Sequence, residues 1–212
     1  KSFVKGASIS DNIKNIETFF QIEIDQDNSK IFYFENFALK FEQSFNFGSN
    51  IVIKDISKIT SLKTDTIKEF LKELTFDHEV SEDQIIEKKF FTNDVFKKVK
   101  KKLVHDIASA RILEILEIIL FKNINFSYYS KNNNNVFLEI NNKLHLRSFR
   151  EIYKQIFTFR DRYKINFLNS LDDEKILESA NKIVHFGWKK EAIPITKPKK
   201  TFITRIFQQL FQ

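Results

Sequence analysis

The side chains suited to acid–base or metal chemistry are thinly spread along this chain of 212 residues. It has no cysteine, and its four histidines are scattered: His78, His105, His145 and His185. The stretch Asp77–Glu79, with Glu82 and Asp83 close by, could collect a cation, but it lacks the ligand spacing that zinc or calcium sites require. A solvated acidic loop is the better interpretation. We therefore predict no metal site, and we find no paired carboxylates or Ser/His/Asp pattern that indicates catalysis.

One histidine has a more specific context. The stretch "KKLVHDIASARI" places His105 and Asp106 on a predicted long helix, behind several lysines. It resembles the phosphoacceptor helix of sensor kinases, which would imply phosphotransfer at His105. The proline that usually follows such a histidine is missing, so a histidine on a helix surface is the favoured alternative.

Glycine is rare, since it occurs only as Gly6, Gly48 and Gly187. Phosphate-binding loops and nucleophile elbows need clustered glycines, because the backbone must approach its ligand closely or adopt a positive φ. The sequence therefore disfavours a nucleotide-binding enzyme. We predict a non-enzymatic protein without a cofactor.

Charge is distributed unevenly. The net charge is +7, yet residues 1–90 hold 12 Lys/Arg and 16 Asp/Glu (net −4), while residues 91–212 hold 23 and 12 (net +11). A basic second half could attract nucleic acid, an anionic membrane or an acidic protein surface. A solvated lysine surface, as an AT-rich genome produces, is the equally plausible alternative.

The stretch with the clearest architecture is "IVIKDISKITSLKTDTIKEFLKEL", residues 51–74. Apolar residues recur at helical spacing on both sides of a three-residue break, which predicts two short helices that cross. With Ile53 as the first position, a small Ser57 takes the fifth, and apolar residues take the fourth, tenth, fifteenth and eighteenth: Ile56, Leu62, Ile67 and Phe70.

This spacing resembles the helix-turn-helix of Lac-repressor-like DNA-binding proteins, whose second helix enters the major groove. The resemblance implies base contacts from Thr64, Thr66 and Lys68, and phosphate contacts from Lys54, Lys63 and Lys72. Two features depart from the family: Ser61 stands where a glycine is usual, and the second helix carries acidic residues. The alternative is a helix pair that serves packing alone.

A second basic region follows. Val136–Ile140 and Lys143–Arg147 alternate in polarity around Asn141-Asn142, which predicts a β-hairpin. Residues 148–164 then predict a basic, aromatic-rich helix. A helix, a hairpin and a basic helix resemble, in arrangement, the winged-helix units of plasmid replication initiators. The predicted nucleic-acid contacts are Arg147, Arg150, Lys154, Arg160, Arg162 and Lys164. The interleaved aromatics are better interpreted as a core stripe.

The C-terminal stretch "KPKKTFITRIFQQLFQ" combines a basic lead with one apolar face. That face contains Phe202, Ile206, Phe207 and Leu210, and it predicts a helix that docks on a protein partner or packs on its own domain. Membrane contact is the less favoured alternative.

Together these patterns predict an α+β fold. We expect N-terminal antiparallel strands, including the alternating run from Phe37 to Phe47, then a helical middle with the helix-turn-helix-like pair, a β-hairpin and C-terminal helices. The expected segments are residues 1–92, 93–190 and 191–212. The predicted function is DNA binding, with a structural or adaptor subunit of a larger assembly as the alternative. The compartment stays open, with an intracellular location favoured.

Overall fold

A computed structural model describes residues 16, 18–35, 38–73, 83–92, 94–126, 129, 134–141, 146–160, 162–168 and 177. The strands are β1 (Phe19–Ile24), β2 (Ser29–Glu35), β3 (Ala38–Phe45), β4 (Asn135–Ile140) and β5 (Lys164–Leu168). The α-helices are α1 (Asn50–Thr60), α2 (Thr64–Glu73), α3 (Lys101–Leu116) and α4 (Leu146–Thr158). A π-helical turn, Glu117–Phe121, extends α3, and 3₁₀ turns span Lys88–Phe90 and Ile124–Phe126.

The strands form one mixed sheet in the order β3-β2-β1-β4-β5. The pairs β1–β2 and β2–β3 are antiparallel, whereas β1–β4 and β4–β5 are parallel. The helices from α1 to α3 lie in the long crossover between β3 and β4. The predicted α+β class, with strands first and helices afterwards, is confirmed.

The sheet has two apolar faces because its central strands are buried on both sides. On one face, strand residues such as Phe20, Ile22 and Leu138 pack with all four α-helices in the main core. On the other face, a smaller cluster contains four fully buried rings: Phe19, Phe32, Phe34 and Phe137. β3 is more open, since its exposed and half-buried residues alternate as the sequence predicts.

The two predicted helices of residues 51–74 exist as α1 and α2, and the five apolar positions that defined them are buried. Ser61 ends α1 in the left-handed conformation (φ 53°, ψ 30°), the backbone shape for which glycine is the usual residue. The side chain of Ser57 closes the turn by donating to the carbonyl oxygen of Leu62 at 2.6 Å. The pair packs against the sheet and α3 rather than standing apart.

The predicted hairpin differs from the structure in one half. Residues 136–140 do form a strand, but β4 lies within the sheet between β1 and β5 and pairs in parallel with both. Arg147 belongs to α4, and Lys164 belongs to β5 rather than to the basic helix. The predicted second strand is wrong at its end, because Leu146 and Arg147 begin α4, whereas residues 142–145 lie outside the described part of the chain.

The predicted division into three segments stays a prediction, although the sheet joins strands from either side of residue 92. Among the described residues, no helix has the length and apolar character needed to cross a bilayer.

Candidate functional site

The best-formed polar site lies at the carboxyl ends of the two neighbouring interior strands β1 and β4. Because these strands are parallel neighbours, the residues that follow them, Asp25 and Asn141, emerge side by side. The Asn141 side-chain amide donates to Asp25 Oδ1 at 2.6 Å, and its backbone N–H donates to the carbonyl oxygen of Ile24 at 2.9 Å. Ligands of α/β sheets bind at the carboxyl ends of parallel strands, so we call Asp25, Asp27 and Asn141 the carboxyl-edge cluster.

The turn between β1 and β2 is held tightly. The backbone N–H of Asp25 donates to the carbonyl oxygen of Asn28 at 2.9 Å, and Asp27 Oδ1 accepts from the Asn50 side chain at 3.1 Å. Gly48 lies against this turn so closely that a Cβ there would sit 2.3 Å from the carbonyl oxygen of Asp25. Only glycine fits at this position, because the atoms that a Cβ would meet are backbone carbonyl groups of Asp25 and Gln26, which cannot rotate away as a side chain can.

The N-terminus of α1 is joined to the same turn. The backbone N–H of Ser49 donates to the carbonyl oxygen of Asp25 at 2.8 Å, and that of Asn50 donates to the carbonyl oxygen of Gln26 at 2.8 Å. These amides are thus satisfied within the protein. They are not directed at a ligand, as they are in phosphate sites at helix N-termini.

The carboxyl-edge cluster is acidic. Among the described residues, no lysine or arginine forms an ion pair with Asp25 or Asp27, and no group of three histidine, aspartate or glutamate side chains gathers as a metal cage. Carboxylate and amide oxygens are ligands that a hard, hydrated cation such as Mg²⁺ takes. The charge of the cluster therefore favours a cation over a bare anion.

The residues predicted to read DNA do not form an open recognition helix. Lys54, Lys63 and Thr64 are exposed, but Thr66 is only 4% exposed and lies in the core. Lys68 is half-buried, and Lys72 pairs with Glu69 of its own helix at 2.7 Å.

The N-terminal end of α2 is also covered by another segment. The backbone N–H of Lys63 donates to Asp94 Oδ2 at 3.0 Å, and Lys97 Nζ donates to the carbonyl oxygen of Ser61 at 2.5 Å. The hydrogen bond from Lys63 lowers the pKa of the Asp94 carboxyl below its usual value. The backbone N–H of Lys63 is therefore engaged by an aspartate of the same chain and is not available to a phosphate.

The second basic set is engaged with the protein's own aromatic rings. The guanidinium of Arg150 lies 4.6 Å from the ring centre of Phe167, and that of Arg162 lies 5.5 Å from the ring of Tyr163. Arg160 stacks on Phe121 at 4.8 Å and lies 3.6 Å from Glu117. Such cation–π contacts stabilise the fold. These contacts also cover the guanidinium and ring faces on which a nucleic-acid base would have to stack.

The remaining predicted positions are less informative. Lys154 and Lys164 are exposed, and Arg147 lies in the first turn of α4. The aromatics Phe149, Tyr153 and Phe157 are buried, which confirms their interpretation as a core stripe. Phe202, Ile206, Phe207 and Leu210 lie outside the described residues, and their role as a partner contact stays a prediction.

His105 lies on α3 between two polar side chains. Its Nδ1 is 3.4 Å from Asp106 Oδ1, and its Nε2 is 3.4 Å from Ser109 Oγ. Both distances exceed those of strong hydrogen bonds. His105 is half-buried on the surface of α3, as the favoured alternative expected.

The sheet order and the parallel β1–β4 pair define a class that the sequence did not indicate. No protein-family model matches the chain, and no curated protein matches its sequence. Solved structures nevertheless show that its fold is that of actin-like proteins.

Three of these structures illustrate the similarity. MreB 5 of Spiroplasma citri bound to AMPPNP matches with a TM-score of 0.54 and 15% identity, over 90% of this chain and 60% of that one. The PilM–PilN type IV pilus biogenesis complex matches with a TM-score of 0.51 and 9% identity, over 86% and 48%. The apo psk41 ParM protein matches with a TM-score of 0.50 and 10% identity, over 87% and 48%. The chain thus spans half to three fifths of the length of these proteins.

This finding corrects the sequence-based identification. The resemblance to Lac-repressor-like proteins and to winged-helix replication initiators is wrong, and so is the predicted DNA-binding function. The alternative, an adaptor subunit, is not supported either. The physical reason is that α1 and α2 share one core with an actin-like sheet. Nucleic acid is unsupported as a partner, whereas protein complexes do occur among the structures of this fold. The fold also includes a protein bound to an ATP analogue, so the similarity does not bear out the non-enzymatic prediction, which stays a prediction.

Sequence reasoning missed Asp25, Gly48 and Asn141. One signal was present: Asp25 and Asn141 each directly follow an apolar run that ends in isoleucine, "IEID" and "LEIN". Polar residues after buried strands become a site only when those strands are neighbours, and the sequence did not show that β1 pairs with β4.

Proposed function

We propose that this chain is a nucleotide-binding unit of an actin-like protein, and that it binds a magnesium–nucleotide complex at the carboxyl-edge cluster. The observation that carries the proposal is the Asp25–Asn141 hydrogen bond at the carboxyl ends of adjacent parallel strands. The AMPPNP-bound MreB 5, which shares the fold over 90% of this chain, supports a nucleotide as the ligand class.

The donor set fits magnesium. Mg²⁺ keeps several waters and typically binds one or two carboxylates together with substrate phosphates. Asp25 is the first candidate, because Asn141 fixes one of its carboxylate oxygens and so orients the other. Asp27 is the second, since its carboxylate is held by Asn50 and is exposed at the same turn.

The cluster does not suit phosphate without the metal. The backbone amides of Ser49 and Asn50 already donate to the turn, and the two aspartates repel a triphosphate. A divalent cation between the carboxylates and the phosphates would reverse that repulsion. Binding should therefore depend on magnesium more strongly than in a site that presents free amides.

The chain covers only part of the length of the actin-like proteins it resembles. Hydrolysis and assembly with protein partners are further proposals, and each needs a separate measurement.

The proposal is tested by titrating the 212-residue chain into a fluorescent ATP analogue, with magnesium and with EDTA. We expect saturable binding that needs magnesium, and a loss of affinity of roughly tenfold or more in Asp25→Asn, as is usual when metal ligands or their supporting residues are changed. Asp83→Asn is the matched control, because that carboxylate is 94% exposed and pairs only with Lys100 among the described residues.

Phosphate release would be measured in the same samples. Absence of binding by the folded wild type, or equal binding by Asp25→Asn, would contradict the proposal. Binding without phosphate release would limit the function to nucleotide binding.

A further inference from the structure

β3 forms one of the two edges of the described sheet. β3 ends the strand order, and among the described strands only β2 pairs with it. Edge strands present unpaired N–H and C=O groups that another extended strand can bind. We propose that this edge docks a second copy of the chain, whose β3 pairs with it in antiparallel orientation.

The features that prevent another strand from pairing with β3 occur only in its first half. The register between β2 and β3 shifts at Tyr33/Phe34, because Lys40 is an extra, unpaired residue of β3 that forms a bulge, and Lys40 is charged and exposed. Bulges and lysines are the usual means by which proteins block edge strands. From Phe41 to Phe45 the pairing with β2 is regular, and this second half of β3 contains neither a bulge nor a lysine.

The second half of β3 is also almost neutral. Its single charged residue, Glu42, lies 3.9 Å from Lys30 of β2, so the pair offsets the negative charge. The other residues are two half-buried phenylalanines, Gln43 and Ser44. A strand of this composition can approach its own copy without strong repulsion.

A two-fold axis at Gln43 gives a self-complementary register. It places Gln43 opposite its own copy, Phe41 opposite Phe45, and Glu42 opposite Ser44. Aromatic pairs stabilise antiparallel neighbours, and no like charges stand directly opposite each other. An interface in which each copy presents the same residues is the commonest arrangement in homodimers.

A cleft beside this edge supports the same register. It has a volume of about 410 Å³, and its wall combines the apolar side chains of Phe45, Ile118 and Ile124 with polar ones that include Glu117 and Lys122. Ile118 and Ile124 are 45% and 83% exposed. The side-chain amides of Asn123 and Asn125 donate to Gln43 Oε1 at 3.0 and 3.3 Å, which ties this wall to β3.

A two-fold axis perpendicular to the sheet keeps both clefts on the same face. It brings the isoleucines of the two copies together above the joined strands. Their exposed surface would then be buried, which adds a hydrophobic contribution to the backbone hydrogen bonds.

The test is sedimentation velocity of the full chain across a wide concentration range, with four proteins compared. We expect the wild type to shift with concentration from its 25.3 kDa monomer to twice that mass. Gln43→Lys places two like charges on the axis and should weaken dimerisation by about tenfold or more. Ile124→Asp should act in the same direction from an exposed position. Ser44→Lys, which faces Glu42 of the other copy, should preserve the dimer.

Circular dichroism establishes that each variant is folded. If Gln43→Lys fails to fold, Ile124→Asp and Ser44→Lys still decide the question, since both side chains are exposed. A wild type that remains monomeric at every concentration would overturn the proposal. So would a dimer that both Gln43→Lys and Ile124→Asp leave unchanged, because its contact would then lie elsewhere.

Discussion

Asp94 caps the second helix of the helix pair from outside the pair: its Oδ2 accepts the backbone N–H of Lys63 at 3.0 Å, across 31 positions of the chain. Its Oδ1 accepts the N–H of Val95 at 2.9 Å, so both oxygens are engaged. An aspartate at this place satisfies an otherwise orphaned amide and offsets the positive end of the helix dipole. The segment before α3 is thereby tied to the turn between α1 and α2.

Replacing Asp94 with asparagine should lower the thermal midpoint of unfolding, and replacing it with alanine should lower it further. Asparagine keeps an acceptor but loses the charge, whereas alanine loses both. The same substitutions at Asp106, an exposed residue of α3, serve as controls. Equal midpoints for Asp94→Ala and the wild type would show that this cap does not stabilise the fold.

The Asp94 contribution should also depend on pH in a defined direction. The folded-state pKa lies below the ordinary aspartate value, so the contribution is complete above that value and is lost as the pH falls through the lowered pKa. Urea denaturation from pH 6 to about pH 3 would show the wild type and Asp94→Asn converging at the acidic end. A difference that is independent of pH would mean that charge is irrelevant to the cap.

Local patterns predicted what depends on local spacing. The alternation in β3 and the helical spacing of α1 and α2 appear in the structure because each element buries the side that its period marks. α3 shows the limit of this reasoning. A stripe of apolar residues spaced by three and four along this helix predicts that Leu103 and Ala110 are buried, but both are exposed, while Val104 and Ala108 are buried. The helix carries apolar residues on several sides, so its period could not indicate which side meets the sheet.

The candidate site depended on pairing that local patterns do not report. Asp25 and Asn141 are 116 positions apart and meet because β4 inserts beside β1. The helix-turn-helix pattern was deceptive for the same reason: a sharp crossing of two helices has similar internal requirements whether its outer face meets DNA or a sheet. Only the neighbours of α2 distinguish the two cases.

Gly48→Ala should destabilise the fold and disturb the carboxyl-edge cluster together. The new Cβ would lie 2.3 Å from the Asp25 carbonyl oxygen and 2.7 Å from that of Gln26, and backbone atoms cannot move aside cheaply. We expect a loss of about 2 kcal/mol or more in the free energy of unfolding, as overpacking commonly causes. Urea denaturation measures it, with Ser44→Ala as the exposed control. A change below about 0.5 kcal/mol would show that the turn can retreat from α1.

Gln21→Leu should stabilise the protein. Gln21 is fully buried in β1, and its Oε1 has no hydrogen-bond partner among the described residues, although its Nε2 donates to Glu23 at 2.9 Å. An unsatisfied buried acceptor costs about 1–3 kcal/mol, which an apolar side chain of similar size removes. We expect a gain of about 1 kcal/mol in urea denaturation, with the partly exposed Gln155→Leu as the control. A loss of stability would mean that the bond to Glu23 outweighs the unsatisfied oxygen.

Alkaline pH should destabilise the protein through its buried tyrosines. Burial raises the pKa of Tyr153 far above its ordinary value, and it also raises the pKa of Tyr163, although Arg162 and Arg160 oppose the shift there. Above about pH 10 the unfolded chain releases the Tyr153 proton while the folded chain retains it. The free energy of unfolding then falls by about 1.4 kcal/mol per pH unit for this one residue.

Tyr153→Phe should therefore flatten the decline in stability between pH 9 and about pH 11, measured by urea midpoints at fixed ionic strength. Tyr163→Phe is the matched comparison and should flatten the decline less, because the two arginines keep its pKa closer to the ordinary value. If Tyr153→Phe and the wild type lost stability in parallel over this range, the alkaline transition would have to come from other groups. A larger effect from Tyr163→Phe would contradict this comparison, because it would mean that the pKa of Tyr163 is raised more than that of Tyr153.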